Sequence, residues 1–205
     1  MAASTAKENI LKKIRQALSN PVPLPFASGD GVAVYPPAQN DLEILFAEEF
    51  TKIQGRFAFC MDEKDLHQQL QQLIIAKDWN LIFTSEPQWN TLFSNTINLP
   101  GCNASITGCE CLVARTGTIV MSAAQQSGRT VSVYAPVHIC IAYTSQLVYD
   151  IKDALLLFKE KYGDNLPSLI TFASGPSRTA DIEKTLVTGV HGPGEVYLFL
   201  VDSKV

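Results

Sequence analysis

Several segments of the chain are unbroken apolar runs, and they restrict the possible fold more than any other feature. The runs "HICIAY" (138–143), "LITFAS" (169–174) and "VYLFLVD" (196–202) show no alternation of polar and apolar residues. Strands of this kind are buried on both faces, as in a parallel sheet that is covered by helices. Segments with helical spacing lie between the runs, among them "DLEILFAEEFTKI" (41–53) and "DEKDLHQQLQQLIIAK" (62–77). The sequence therefore predicts an α/β fold, with a largely parallel sheet flanked by helices.

The first 40 residues predict an appendage to this fold. "TAKENILKKIRQAL" (5–18) has apolar residues at helical spacing and begins with a capping-box pattern, Thr5-x-x-Glu8. Alternating prolines in "NPVPLPF" (20–26) then favour an extended arm. We therefore expect an N-terminal helical arm over residues 1–40 and an α/β domain over residues 41–205.

Segments in the middle and near the end of the chain predict further elements of the domain. "TGTIVMSA" (116–123) and "TVSVYA" (130–135) have the composition of strands that could form a hairpin. "SQLVYDIKDALLLFKEKY" (145–162) predicts a helix that ends near Gly163. The region from about 105 to 143 is thus richer in strands than a simple doubly wound sheet.

Composition and charge exclude several classes of protein. Hydrophobic residues make up 46% of the chain and charged residues 18%, which is typical of a globular protein. The formal net charge of −4 argues against general nucleic-acid binding, which needs a basic face. The N-terminus lacks the apolar region of a signal peptide, and no apolar run is long enough to span a membrane. These features predict a cytoplasmic protein.

The five cysteines do not show the spacing of a metal or cluster site. Cys60 and Cys140 stand in apolar runs and are expected to be small buried core residues. Cys109 and Cys111 are separated by one residue, whereas zinc and redox motifs have two. The sequence thus predicts no metal site and no iron–sulfur ligation in this chain.

The turn after "LITFAS" is the first candidate site. If that strand ended at the carboxyl edge of a sheet, backbone N–H groups, hydroxyls and a guanidinium would gather where open α/β folds bind ligands. A short helix predicted over about 180–188 would turn its positive end toward the same place and favour a carboxylate or phosphate. The alternative is an ordinary capped turn, because the glycines do not form a Walker or Rossmann pattern. The candidate ligand-binding residues are Ser174, Gly175, Ser177, Arg178 and Thr179.

The segment "GVHGPG" (189–194) is the second candidate. Gly192 and Gly194 allow a tight turn around His191. A histidine in such a turn could donate a hydrogen bond to a ligand or exchange a proton with it. The alternative is a surface histidine that bonds a local carbonyl group.

A third candidate lies in "TGCECLVARTGTIVMS" (107–122). Thr116, Gly117 and Thr118 place one glycine and two hydroxyls just before a predicted strand. Glu110 lies near a glycine turn and could serve as a general base or orient another group. The alternative is a solvent-facing glutamate beside a plain turn. His138 begins an apolar strand, and by itself it is more typical of a structural histidine.

Taken together, these motifs resemble one family. "ARTGTIVMSAAQQSGRTVSVYAPVHICIAYTSQLV" (114–148) and "LPSLITFASGPSRTADIEKTLVTGVHGPGEVYLFLVD" (166–202) resemble the LUD domain of LutC/YkgG-type lactate-utilisation proteins. The "TGT", "P-x-HI", "SGPS-x-T-x-DIE" and "GVHGP" blocks occur in the family's order. The resemblance covers most of residues 40–205. It implies a NagB/RpiA/CoA-transferase-like α/β fold.

The resemblance also implies a function. The chain would be a non-redox subunit of a system that oxidises L-lactate to pyruvate, with iron–sulfur clusters only in its partner proteins. The blocks would form one pocket for a small anion, with Thr116, Gly117, Thr118 and Gly192 joining the turn residues and with Glu110, His138 and His191 as catalytic candidates. The family pattern has an acidic residue where this chain has Arg115, so the resemblance favours ligand binding over catalysis.

Two other functions remain open from the sequence. One is a stand-alone enzyme that acts on a sugar phosphate or an acyl-CoA, as proteins of related fold do, with Glu110 as its base. The other is a scaffold or regulatory module for iron–sulfur partner proteins, which would depend on the N-terminal arm.

Overall fold

A computed structural model of the chain describes residues 6–19, 41–96, 98–179 and 187–203. The chain divides into two compact units, Met1–Pro37 and Ala38–Val205. In the first unit the helix Ala6–Leu18 confirms the predicted N-terminal helix. The predicted proline arm lies outside the described residues, so the division into 1–40 and 41–205 stays a prediction.

The described residues alternate between helices and strands, as the apolar pattern predicts. The helices are α1 (Ala6–Leu18), α2 (Leu42–Lys52), α3 (Glu63–Ala76), α4 (Pro87–Phe93), α5 (Val131–Tyr134) and α6 (Ile151–Tyr162). The strands are β1 (Arg56–Cys60), β2 (Ile82–Phe83), β3 (Ala104–Thr107), β4 (Cys111–Val113), β5 (Thr118–Ser122), β6 (Val137–Tyr143), β7 (Leu147–Val148), β8 (Ile170–Ala173), β9 (Arg178–Thr179), β10 (Val187–Thr188) and β11 (Glu195–Val201).

A five-stranded sheet in the order β1-β11-β6-β3-β2 forms the centre of the second unit. All of its neighbouring strands are parallel, which confirms the predicted parallel sheet. The central strands β6 and β11 are the apolar runs "HICIAY" and "VYLFLVD", and they are buried along almost their whole length. Full burial on both faces is the reason that these strands do not alternate.

Three helices and a second sheet cover the faces of this central sheet. On one face, Leu66 and Leu70 of α3 and Trp89 of α4 pack against Ile139 and Ile141. On the other face, Phe46 and Phe50 of α2 and residues of β4 and β5 pack against Cys140, Leu198 and Leu200. Cys60 and Cys140 are fully buried, as predicted. None of the described helices has the length and apolar character needed to cross a membrane.

The second sheet has the strand order β7-β4-β5-β8, with α6 on its outer face. The strand predicted in "LITFAS" is β8, which forms an edge of this sheet and runs antiparallel to β5. It is only half-buried, so the prediction that it belongs to the buried parallel sheet is wrong. As an edge strand, β8 has a hydrogen-bonded neighbour on one side only. Its side chains are therefore less buried than those of the central strands.

Two further elements differ from the prediction. "TVSVYA" forms the helical turn α5, in which Val133 N and Tyr134 N both donate hydrogen bonds to Thr130 O. The strand predicted to pair with it, β5, is already flanked by β4 and β8. The helix predicted over 145–162 begins at Ile151 instead of Ser145, because Asp150 forms a capping box with Asp153.

Candidate functional site

The two turns identified near the end of the chain lie against each other. Ser177 N donates a hydrogen bond to Pro193 O at 2.9 Å, and Gly189 N donates one to Ser177 O at 3.0 Å. A Cβ atom at Gly192 would lie 3.0 Å from the Cβ of Ser177, so glycine allows the close approach. The structure thus brings the turn at 174–179 and the turn at 189–194 together. We call them the paired turns.

The paired turns lie at the amino edge of the parallel sheet. Gly194 N donates to Pro136 O at 2.8 Å, and these residues directly precede β11 and β6. The prediction of a carboxyl-edge site is therefore wrong for this segment. Because β8 runs antiparallel to β5 in the second sheet, its end does not join the carboxyl ends of the parallel strands.

The last two residues of the segment 180–188, predicted as a helix, form a strand instead. Val187 and Thr188 form β10, which pairs with β9 in an antiparallel ladder. Residues 180–186 lie outside the described residues. The described part of this segment therefore contains a two-stranded ribbon, and the helix start predicted near residue 180 stays a prediction.

Arg178 and Gly175 contact the end of α2. The Nη2 atom of Arg178 donates to Ile53 O at 2.6 Å, and Ile53 is the residue at which α2 ends. A Cβ atom at Gly175 would lie 2.4 Å from the same oxygen. The last carbonyl groups of a helix carry partial negative charge, so a guanidinium here stabilises α2.

The hydroxyls around Gly117 bond one another. Thr116 Oγ1 lies 2.7 Å from Thr118 Oγ1, which lies 2.8 Å from Ser174 Oγ. Thr118 is buried. These groups satisfy one another and hold the loop before β5 against Ser174. They are therefore placed together, as predicted, but in a packed arrangement.

The two candidate histidines, His138 and His191, do not share a pocket. His138 is 1% exposed, and its Nε2 shares a 2.8 Å hydrogen bond with Thr107 Oγ1. Burial lowers the pKa of His138 to about 4, so the ring is neutral near neutral pH. His191 is exposed at the tip of its turn. Their predicted catalytic roles stay predictions, and the enclosure of His138 argues against proton exchange with an external ligand.

Glu110 is fully engaged by its neighbours. Its carboxylate accepts hydrogen bonds from Ser122 Oγ at 2.6 Å, Tyr162 Oη at 2.7 Å and Lys161 Nζ at 2.7 Å. Burial would raise the pKa of Glu110, but these three donors outweigh it and lower the pKa below its usual value. A carboxylate that is so well satisfied is a poor general base. The geometry therefore favours a structural role, in which Glu110 ties β4 to β5 and α6.

Arg115 stands where the family resemblance implies an acid, and it forms a bidentate ion pair. Its Nε donates to Asp150 Oδ2 at 2.8 Å and its Nη2 to Asp150 Oδ1 at 3.1 Å. Asp150 is the residue that caps α6. The hydrogen bonds from Arg115 lower the pKa of Asp150. Arg115 thus joins the loop before Gly117 to the start of α6.

We expect the substitution Arg115→Gln to destabilise the fold by about 1–2 kcal/mol, because it removes a bidentate, largely shielded ion pair at a helix cap. Urea denaturation measures the change. The matched control is Lys64→Gln, an exposed residue of α3 with the same change of charge, which should cost no more than about 0.5 kcal/mol. Equal losses in the two variants would contradict a structural role for this pair.

Two clefts at the carboxyl edge of the parallel sheet were not predicted from the sequence. One has a volume of about 580 Å³ and is lined by the start of α2, by Phe59, and by Thr144 and Asp202 where β6 and β11 end. The other has a volume of about 310 Å³ and contains Glu86 and Trp89. In the sequence, Glu86 directly precedes Pro87, the first residue of α4, so it looks like an ordinary helix-start residue. The available signal was its position directly after a strand of a parallel sheet.

Among the described residues, no group of three or more histidines, cysteines or acids is placed to hold a metal ion.

Comparison with known proteins agrees with the resemblance in the sequence. A family model described as LUD domain matches residues 94–201. The Anoxybacillus flavithermus protein named "Lactate utilization protein C" is 35% identical over 186 residues, which cover 80% of this chain and 83% of that protein. A protein of the same name from Bacillus licheniformis is 36% identical over 104 residues, which cover 50% of this chain and 43% of that protein. The chain spans about half the length of the first curated relatives that it matches.

A solved structure confirms the fold. The crystal structure of a DUF162 family protein from Deinococcus radiodurans superposes with a TM-score of 0.59, covering 81% of this chain and 99% of that one. The two sequences are 16% identical, so this likeness concerns the fold alone. It agrees with the α/β class predicted from the apolar runs.

Proposed function

Since this chain belongs to the LUD domain family, we propose that it serves in lactate utilisation, as a non-redox subunit of a system that oxidises L-lactate to pyruvate. The observation that carries the proposal is the 35% identity to a relative named for lactate utilisation, over most of both chains. In this proposal the protein is cytoplasmic, and iron–sulfur clusters reside in partner proteins.

A small anion, such as lactate or pyruvate, would bind at the paired turns. Three features support this placement: the turns contact each other through Ser177, Arg178 is exposed, and His191 is exposed at the tip of the neighbouring turn. An exposed guanidinium can pair with a carboxylate in a bidentate manner. The site would lie on the surface, because Arg178 also donates to Ile53 O.

Growth on lactate tests the role of the protein. Deletion of the gene should abolish growth of the source organism on L-lactate as sole carbon source and leave growth on pyruvate unchanged. The wild-type gene should restore growth. A deletion strain that grows normally on L-lactate would overturn the proposed role.

Calorimetry with L-lactate and pyruvate tests the anion site separately. Arg178→Gln should weaken binding about tenfold or more, because it removes the only full positive charge of the two described turns. Lys159→Gln is the matched control, since it removes an exposed positive charge on α6, and it should leave affinity within about twofold. Equal affinity in both variants, or no binding to any of the three proteins, would overturn the anion site without affecting the growth result.

A further inference from the structure

The smaller cleft at the carboxyl edge of the parallel sheet, which we call the Glu86 cleft, has the form of a ligand site. It lies where β2, β3 and β6 end, and it is lined by Glu86, Trp89, Gly108, Gln125 and Tyr143 among others. Its volume of about 310 Å³ suits a small molecule. Ligands of open α/β folds bind outside the carboxyl ends of parallel strands.

Glu86 is buried without a partner for one of its oxygens. The residue is 7% exposed, and its Oε1 makes no hydrogen bond to any part of the chain that the structure describes. Its main chain is held in place: its N–H donates to Thr84 Oγ1, and its carbonyl accepts from Trp89 N and Asn90 N. Buried polar atoms are nearly always hydrogen-bonded, and an unpaired buried carboxylate is unfavourable. A ligand donor in the cleft would give the Glu86 carboxylate a partner.

The walls of the cleft are fixed by their own hydrogen bonds. Gln146 donates to Cys109 O at 2.7 Å and accepts from Tyr143 N at 2.9 Å. Gln125 Oε1 accepts from Ser122 N at 2.9 Å. These bonds hold both side chains in one orientation before any ligand arrives. Such pre-organisation reduces the entropy cost of binding.

Gly108 keeps space open between two of these walls. A Cβ atom at this position would lie 3.5 Å from Trp89 Cη2 and 3.9 Å from Gln125 Nε2. Any larger side chain would project into the gap between the indole and the amide. The glycine that follows β3 therefore preserves the volume of the cleft.

The charges of the lining select the ligand. The lining residues include one carboxylate, two aromatic rings and several amides, and they contain neither lysine nor arginine within the described ranges. An anion would meet the Glu86 carboxylate without a compensating positive group. An ammonium group would pair with the Glu86 carboxylate, neutralise its charge and lie favourably near aromatic rings. We propose that the Glu86 cleft binds a small organic ammonium ligand, with Glu86 as its counter-charge.

An NMR titration of the full chain with three molecules of the same size tests the proposal. The probes are n-propylammonium, 1-propanol and propionate. We expect saturable shifts of the Gly108 amide, the Trp89 indole N–H and the Gln125 side-chain amide with n-propylammonium. Affinity for 1-propanol should be lower by at least about tenfold, because 1-propanol lacks the charge. Propionate should leave these signals unchanged.

Two variants show whether Glu86 is the group responsible. Glu86→Gln should weaken n-propylammonium binding about tenfold or more, whereas Glu160→Gln, an exposed carboxylate on α6, should leave it within about twofold. Without ligand, Glu86→Gln should raise the Tm by about 2–4 °C, because it removes an unpaired buried charge. Equal binding of 1-propanol or propionate, unchanged binding by Glu86→Gln, a lower Tm, or no saturable shift with any probe would each overturn the proposal.

Discussion

Replacing Gly117 by alanine is expected to reduce the free energy of unfolding by about 3 kcal/mol, which combines backbone strain with overpacking. Gly117 has φ +57°, a conformation that alanine adopts with strain. A Cβ atom there would lie 2.4 Å from Phe50 N and 2.7 Å from the carbonyl carbon of Glu49. Both contacts are with the backbone of α2, which cannot move aside as a flexible side chain would.

Gly128→Ala separates the two contributions. Gly128 has φ +58°, almost the same as Gly117, but a Cβ atom there meets nothing within 4 Å. This variant should therefore lose about 1 kcal/mol, from backbone strain alone. Urea denaturation of both variants gives the comparison. Equal losses would show that the close approach of Gly117 to α2 has no energetic weight.

The second large effect is the pH dependence that His138 confers on stability. Burial lowers the pKa of His138 from 6.5 to about 4, so the unfolded chain binds a proton at a higher pH than the folded protein does. Stability is therefore unaffected by this group above pH 6.5 and falls as the pH decreases toward about 4. Between about pH 7 and about pH 5, His138 alone should remove about 2 kcal/mol of stability.

His138→Gln isolates this contribution. The amide cannot be protonated in this range, and it can still share a hydrogen bond with Thr107. Between about pH 7 and about pH 5, we expect the free energy of unfolding of the variant to fall by about 2 kcal/mol less than that of the wild type. His67→Gln on α3 is the matched control, because His67 is only partly buried. Parallel pH profiles for wild type and His138→Gln would contradict a buried neutral histidine.

The parts of the fold that were predicted correctly are those with a strong local signal. The helices α2 and α3 follow from apolar residues at helical spacing, and α3 starts where Asp62 accepts a hydrogen bond from Asp65 N. The buried strands β6 and β11 follow from unbroken apolar runs. In each of these segments the burial pattern is encoded by consecutive residues, so no distant partner is needed to read it.

The surroundings of the candidate site residues were not predicted, because they depend on distant neighbours. Glu110 looked available as a base until Tyr162 and Lys161 of α6, some fifty positions later, were placed around it. The sequence predicts Arg178 as an anion ligand, but it does not predict that Arg178 also donates to Ile53 O at the end of α2. The position of Glu86 after a strand is visible in the sequence, but the missing partner of its carboxylate is a property of the folded surroundings.

The sequence by itself determined the α/β class, the main helices, the central strands and the family. Hydrophobic periodicity and short motifs are local, and they persist whatever the rest of the chain does. Only the tertiary structure decided which sheet "LITFAS" joins and at which edge its turn lies. Strand pairing is a choice among distant partners, and an apolar run does not specify its neighbour. That choice placed the paired turns at the amino edge and the Glu86 cleft at the carboxyl edge of the same sheet.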